Sequence, residues 1–167
     1  VDNSDDIVGW HVFGGEGGSS APTRALYYGD SSDPSNLNYD NDGINHGSAK
    51  IPLSFGQEGS AVTLTFDAFF DTEASPDFDA LSVFAVLGEE RYLVWDKSQF
   101  EFVGVWSSYE VDLSGFAGNI GVLEFFFDTV DNTINYNEGV YVDNVVVVSS
   151  CLTRACEIDA DCDDGLA

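Results

Sequence analysis

The clearest pattern in the sequence is Val62-Thr63-Leu64-Thr65-Phe66-Asp67-Ala68-Phe69. Apolar side chains alternate with Thr or Asp over its first part, and a β-strand places successive side chains on opposite faces. We therefore expect one face of this strand to meet a hydrophobic core and the other to meet water.

Strand patterns continue on both sides of this stretch. No segment shows a sustained helical period with caps, so helix is expected to be almost absent. The predicted strands are 9–13, 25–28, 48–53, 62–69, 80–87, 92–95, 100–103, 108–113, 120–127 and 140–148. Nine or ten short strands of this kind predict an all-β sandwich of two antiparallel sheets.

Composition limits the classes of partner. Hydrophobic residues make up 44% of the 167 residues and aromatic residues 14%, so the chain must bury a core. Thirty Asp and Glu residues against five Lys and Arg give a net charge of −25, which repels nucleic acid and anionic lipid. Clustered carboxylates favour bound divalent cations, although solubility or adaptation to high salt explains the same excess.

The length suits one core-bearing domain. The composition changes after a Val-rich strand, so we divide the chain into a β-sandwich domain, residues 1–149, and a Cys- and Asp-rich tail, residues 150–167. The tail contains Cys151, Cys156 and Cys162. An odd number of cysteines predicts a free thiol or a disulfide partner beyond residue 167.

The sequence also predicts a location. It lacks Met and does not begin with it, which is typical of a processed, exported chain. It has no run of about 18 apolar residues, so no membrane insertion is expected. We predict an extracellular or cell-surface protein.

Several segments in a fixed order resemble a known family. They are Gly9-Trp10-His11, Ala25-Leu26-Tyr27-Tyr28-Gly29, Phe70-Asp71-Thr72-Glu73, Trp106, Val111-Asp112-Leu113-Ser114, Ala117-Gly118, Phe127-Asp128-Thr129-Val130-Asp131 and Glu138-Gly139-Val140-Tyr141-Val142-Asp143-Asn144-Val145. Together they resemble a secreted bacterial jelly-roll domain, similar to MAM-like domains and to the β-sandwich of immune inhibitor A type metalloproteases. The tail resembles the start of a Cys- and Asp-rich surface-protein repeat. The resemblance implies an accessory module, often with a structural calcium ion, rather than an enzyme.

Calcium takes roughly six to eight oxygen ligands, which loops at strand ends can supply. Acidic residues follow or precede several predicted strands, so we expect them to share one end of the sandwich. On position and resemblance, the candidate ligands are Asp71, Glu73, Asp79, Asp128, Asp131 and Glu138. For any one of these residues, a solvated loop acid is the alternative.

Four further acids are candidate metal ligands. Asp143 lies within a run of valines, and it must face solvent or be paired because burying an unpaired carboxylate is costly. The resemblance implies that a metal ties such an acid to the N-terminal segment, which would recruit Asp5 or Asp6. Asp40 and Asp42, in the long polar loop 29–47, resemble part of a calcium loop but do not complete an EF-hand.

Other chemistry has weaker support. The two histidines, His11 and His46, and the cysteine spacing do not suggest zinc. No nucleophile motif occurs, so we do not expect an enzyme, although thirty acids leave a glycosidase pair open. Sugar binding needs exposed aromatic faces beside polar groups, and the candidates are Trp95, Tyr39 and Tyr136.

These patterns together predict a non-catalytic, calcium-binding extracellular module for adhesion or recognition. Its expected ligand is a polysaccharide or cell-surface glycan. The alternative is a structural subunit of an extracellular filament or surface layer, in which the chain is its own partner.

Overall fold

The computed structural model describes residues 1–4, 7–14, 24–99 and 103–150. The strands are β1 (Asp2–Asn3), β2 (Gly9–Phe13), β3 (Ala25–Gly29), β4 (His46–Ser54), β5 (Ala61–Asp71), β6 (Ala80–Leu87), β7 (Glu90–Asp96), β8 (Ser107–Asp112), β9 (Ile120–Asp128) and β10 (Gly139–Ser150). Two short 3-10 helices, Lys97–Gln99 and Ser114–Phe116, are the helical segments of these described ranges. The prediction of an all-β chain with almost no helix is confirmed.

The predicted and observed strands differ in a few places. β2 and β6 have the predicted bounds, and most other strands differ by one or two residues at an end. β1 is absent from the predicted set because two residues carry no alternation pattern. The strand expected at 100–103 is not confirmed: Val103 lies in a turn, and residues 100–102 lie outside the described ranges.

The strands form two antiparallel sheets. The first has the order β1-β4-β9-β6-β7, and the second has the order β2-β3-β10-β5-β8. From β3 onward the chain crosses to the other sheet at each step, except at the β6–β7 hairpin. This crossing pattern is that of a jelly-roll sandwich, so the predicted fold class is confirmed.

The main core lies between the sheets. On β9, the side chains of Leu123, Phe125 and Phe127 are fully buried and belong to this core, whereas those between them face outward. On β5, Leu64 and Phe66 are buried as the alternation predicts. The period of two residues that marks each strand is therefore also what closes the sandwich.

A second, aromatic cluster covers the outer face of the second sheet. It contains Phe13, Tyr27, Phe69 and Tyr141. The sequence neighbours of the last three belong to the main core or pack against it. Tyr27 and Tyr141 stack with their ring centroids 4.7 Å apart. This outer face is therefore packed, and loop residues such as Leu37 lie against it.

Two other predictions concern the ends and the location of the chain. The last strand ends at Ser150, and the tail with its three cysteines lies outside the described residues. In the ranges that the structure describes, no helix has the length and hydrophobicity needed to cross a membrane.

Replacing Gly121 by Ala should destabilise the fold. A Cβ on this β9 residue would lie 2.4 Å from the Val86 carbonyl oxygen and 3.0 Å from the Phe55 ring. Such overpacking costs about 1–3 kcal/mol of the free energy of unfolding. Urea denaturation measures this loss, and Gly115→Ala is the matched control because nothing lies within 4 Å of its Cβ. Equal unfolding midpoints for the two variants would contradict this account of β9 packing.

Candidate functional site

Three polar loops meet at one end of the sandwich, which we call the loop end and define as residues 30–45, 72–79 and 129–138. The strand register brings them together, because Asp128 at the end of β9 is opposite both His46 of β4 and Ala80 of β6. In the second sheet, Asp71 at the end of β5 is opposite Gly139 of β10. The expectation that acids flanking these strands share one end is therefore confirmed for this part of the chain.

A buried carboxylate lies at the centre of the loop end. Asp79 is fully buried and adopts a left-handed φ of 49°, which Asp tolerates better than most residues. Its Oδ2 accepts hydrogen bonds from the Tyr39 hydroxyl at 2.7 Å and the Glu73 backbone N–H at 2.9 Å. Asp79 thus joins loop 72–79 to loop 30–45.

A buried ammonium group lies in the same region. Lys97 is only 1% exposed, and its Nζ donates to the carbonyl oxygens of Glu73 at 2.6 Å and Phe78 at 2.9 Å. Carbonyl oxygens that converge in this way also suit a metal cation. At this point of the loop end, the positive charge therefore comes from the protein itself.

Burial changes the protonation of this cluster. It raises the pKa of the Asp79 carboxyl, although the hydrogen bond from Tyr39 acts in the opposite direction. Burial also lowers the pKa of Lys97 to about 8, although the negative charges of Asp79 and Glu73 act to raise it. The pKa of the Tyr39 hydroxyl is raised by burial and then by its bond to Asp79. Desolvation therefore dominates the electrostatics of the cluster.

Two buried oxygens of the loop end have no hydrogen-bond partner within the described ranges. They are Oδ1 of Asp79 and Oδ1 of Asn135, which is 2% exposed. The two residues are linked through Tyr39, which bonds Asp79 through its hydroxyl and the Asn135 carbonyl through its backbone N–H. Buried oxygens without partners are costly, and a hard cation or a water molecule would satisfy them.

The other predicted metal ligands are not gathered around these oxygens. No group of three or more His, Cys, Asp or Glu side chains suited to a metal occurs among the residues that the structure describes. Asp40, Asp128 and Asp131 each accept a hydrogen bond from the backbone N–H two residues later, in local turns. Asp42 has a left-handed φ of 62° in the same loop as Asp40. Asp131 is near enough for its charge to raise the pKa of Asp79.

Asp143 lies away from the loop end. It is a half-buried residue of β10, opposite Asp67 of β5, and its Oδ1 accepts the backbone N–H of Asn144. A register shift follows it between Asp143 and Val146. Its predicted metal partners, Asp5 and Asp6, lie outside the described residues.

The remaining candidates Asp71, Glu138 and Tyr136 line one surface pocket of about 300 Å³. Asp71 Oδ2 accepts the Glu138 backbone N–H at 3.0 Å, and Glu138 Oε1 accepts the Tyr141 hydroxyl at 2.6 Å. The Tyr27 hydroxyl holds the Glu138 carbonyl at 2.6 Å. The aromatic cluster on the outer face of the second sheet therefore fixes the floor of this pocket, which we call the Tyr136 pocket. Its lining residues are Pro34, Ser35, Asn36, Leu37, Asp71, Tyr136, Asn137 and Glu138.

Only one of the three aromatic candidates is exposed. Tyr136 is 72% exposed, whereas Trp95 is 2% exposed and Tyr39 is fully buried. The expectation that Trp95 and Tyr39 are surface aromatics is wrong, since Trp95 packs edge-on against Phe66 in the main core and Tyr39 packs edge-on against Phe127. Neither ring can therefore stack on a sugar.

Sequence reasoning missed a second cluster on the outer face of the first sheet. Glu124 of β9 is 4% exposed although its strand neighbours point into the core. Its oxygens accept hydrogen bonds from Ser48 Oγ at 2.5 Å and Arg91 Nε at 2.9 Å, and Lys50 Nζ lies 3.7 Å away. The sequence did contain a signal for this cluster: Glu124 lies within the apolar run of β9, and a buried acid there needs a basic partner in a chain that has very few.

Comparisons with known proteins concern the fold. No protein-family model matches the chain, and no curated protein matches it in sequence. Similar solved structures include a cyclase from Fischerella sp. TAU at 14% identity and a TM-score of 0.49, with 78% of this chain and 65% of the cyclase chain covered. A mutant of a family 29 carbohydrate binding module has 14% identity and a TM-score of 0.47, covering 90% of this chain and 82% of that one.

A family 16 carbohydrate binding module has 10% identity and a TM-score of 0.44, covering 87% of this chain and 89% of that one. The chain thus spans just under two thirds of the cyclase chain. Identities this low leave the ligand to be argued from the residues of this chain. The resemblance to MAM-like domains and to the metalloprotease β-sandwich stays a prediction.

Replacing Lys97 by Met should destabilise the protein strongly. The change leaves the carbonyls of Glu73 and Phe78 without their donor and Asp79 without the nearby positive charge. Each buried carbonyl that loses its donor costs about 1–3 kcal/mol of the free energy of unfolding. Urea denaturation at neutral pH measures the loss. Arg24→Met is the control, because that residue is exposed.

The pH dependence provides a second readout for the same group. The folded-state pKa of Lys97 is about 8, below the value of about 10.4 expected in an unfolded chain. Between these pH values the unfolded chain holds more protons, so the free energy of unfolding should rise with pH in this window. The rise should disappear in Lys97→Met. An unchanged slope in the variant would show that another group titrates.

Proposed function

We propose that this chain is a non-catalytic extracellular module that recognises carbohydrate at the Tyr136 pocket. The observation that carries the proposal is an exposed aromatic ring beside fixed polar groups. Sugars present apolar faces that stack on aromatic rings and hydroxyls that pair with carboxylates and amides. Tyr136 offers such a ring, and Asp71 and Asn36 lie in the same pocket.

The polar groups of the pocket are held in place before a ligand arrives. Asp71 Oδ2 accepts a hydrogen bond from the Glu138 backbone N–H, and the hydroxyls of Tyr27 and Tyr141 donate to oxygens of Glu138. Groups fixed in this way lose little conformational entropy on binding. The pocket is therefore suited to recognition by a rigid surface at the loop end.

The electrostatics of the loop end favour binding over catalysis. A glycosidase acid needs a raised pKa and contact with the substrate. Burial raises the pKa of Asp79, but this residue is fully buried and does not line the Tyr136 pocket. The carboxyl with the raised pKa is thus in the wrong place to protonate a bound sugar.

We also propose that the loop end binds a calcium ion. Asp79 Oδ1 and Asn135 Oδ1 are the buried oxygens that would hold the ion, with Asp131 nearby. Hard oxygen donors of this kind suit calcium, whose role would be to stabilise the loops that support the pocket. Filament or surface-layer assembly remains a prediction, and negative-stain microscopy showing polymers would favour it.

Replacing Tyr136 by Ala should weaken glycan binding about tenfold or more, since the ring supplies the stacking surface. A glycan array identifies the ligand, and isothermal titration measures the affinity of both proteins. Tyr92→Ala is the control, because Tyr92 is 40% exposed but lies on β7 of the other sheet. Equal affinities of Tyr136→Ala and the unmodified chain would contradict the proposed site, and hydrolysis of the glycan would contradict a non-catalytic role.

Adding calcium should raise the melting temperature of the protein, because a ligand that binds only the folded state stabilises it by mass action. Scanning fluorimetry with calcium and with chelator measures the shift. Asn135→Ala should abolish it, whereas Asp40→Asn should not, because Asp40 accepts a hydrogen bond in a local turn. A melting temperature that is the same with calcium and with chelator would refute calcium binding.

A further inference from the structure

A second surface site, which shares no lining residue with the Tyr136 pocket, lies in a groove of about 550 Å³ on the outer face of the first sheet. We call it the Arg91 groove. Its lining includes Lys50 and Arg91, two of the five basic residues in the sequence, together with His46. The same lining holds the carboxylates of Asp2, Glu89 and Glu124, so an anion can bind here only through donors that these acids do not use.

Arg91 is held rigidly in the groove. Its Nε donates to Glu124 at 2.9 Å, and its guanidinium carbon lies 4.0 Å from the Phe84 ring centroid and 5.0 Å from that of Phe126. A stacked and hydrogen-bonded guanidinium loses little entropy when it binds a ligand. The side chain is therefore preorganised.

The outer edge of this guanidinium is available. Within the described ranges, Nε is the only guanidinium nitrogen of Arg91 with a hydrogen-bond partner, so Nη1 and Nη2 remain as unused donors. Two such donors match the two oxygens of a carboxylate. A buried ion pair is weak evidence for stability, since apolar residues can often replace it without loss. Orienting Arg91 is thus a reason for Glu124 to be buried here.

The rim of the groove has a different chemistry. Asp2 and Glu89 supply acceptors at its edge, and Asn3 and Ser4 add further polar groups. Acceptors repel a second carboxylate but pair well with hydroxyl groups. The groove therefore combines one anion-binding fork with several hydroxyl-binding groups.

We propose that the Arg91 groove binds a uronic acid residue of an acidic saccharide. The uronate carboxylate pairs with Nη1 and Nη2 of Arg91, and the sugar hydroxyls donate to Glu89 and to Asp2. Lys50 Nζ lies 3.6 Å from Asp2 and 3.7 Å from Glu124, so its charge mainly offsets these two acids. The inference rests on the proposed carbohydrate recognition only for the class of ligand, and it concerns a separate site. An acidic side chain of a second copy is disfavoured, because two chains of charge −25 repel each other.

Isothermal titration with oligogalacturonate tests the proposal, and its methyl-esterified form is the matched ligand without the charge. The unmodified chain should bind the acid and bind the ester at least about tenfold more weakly. Arg91→Gln should weaken binding of the acid about 30-fold or more. Arg24→Gln is the matched control, because it removes the same charge next to the second sheet and should leave the affinity unchanged.

The Arg91→Lys variant distinguishes a loss of binding from a folding defect. It keeps the positive charge but loses the fork, so it should melt normally and still bind the acid more weakly than the unmodified chain does. Equal affinity for acid and ester, or unchanged affinity in both Arg91 variants, would overturn the proposal. So would acetate that competes as well as the saccharide, which would indicate a general carboxylate site.

Tyr136→Ala separates this proposal from the first one. The variant should keep its affinity for oligogalacturonate, and loss of that affinity would place the acid in the Tyr136 pocket and refute the Arg91 site. If no neutral glycan binds but the acid does, the Tyr136 pocket fails and the Arg91 groove stands. Sedimentation that shows a dimer which Arg91→Gln abolishes would assign the groove to a second copy and overturn the uronate.

Discussion

Asp79 and Lys97 are both removed from water at the loop end, and charged groups in that position must find partners within the protein. Lys97 satisfies two carbonyl oxygens of loop 72–79, and Asp79 takes hydrogen bonds from Tyr39 and from the Glu73 backbone. These contacts determine how the loops pack, because any other arrangement would leave a buried charge without partners. Tyr39 also joins loop 30–45 to loop 129–138 through the Asn135 carbonyl, and these two loops carry most of the lining of the Tyr136 pocket.

Most of the few basic residues of the chain lie beside a buried carboxylate. Lys50 and Arg91 interact with Glu124, and Lys97 lies in the field of Asp79, so three of the five basic residues accompany a buried carboxylate. Surface acids such as Asp33 and Asp112 are instead satisfied by hydrogen bonds in local turns, which lower their pKa values. With a net charge of −25, the chain as a whole therefore stays strongly negative.

Different parts of the structure could be predicted to different degrees. The alternation at Val62, Leu64 and Phe66 predicts a strand and its buried face from neighbouring residues alone, and the structure confirms both. The same local pattern placed Asp71 and Asp128 at strand ends that meet. It could not place Tyr39 and Trp95, because an aromatic residue looks the same in sequence whether it faces a core or a ligand. Trp95 is buried through Phe66, a residue of another strand in the other sheet.

By itself, the sequence determined the all-β class, the positions of most strands and the end at which acidic loops gather, because strand pattern and turn composition are local properties. Only the tertiary structure decided which acids are buried and which cations accompany them. Tyr39 reaches Asp79 across 40 residues, and Glu124 meets Arg91 across 33. Burial and charge pairing depend on such long-range contacts, and these exist only after the two sheets have closed on each other.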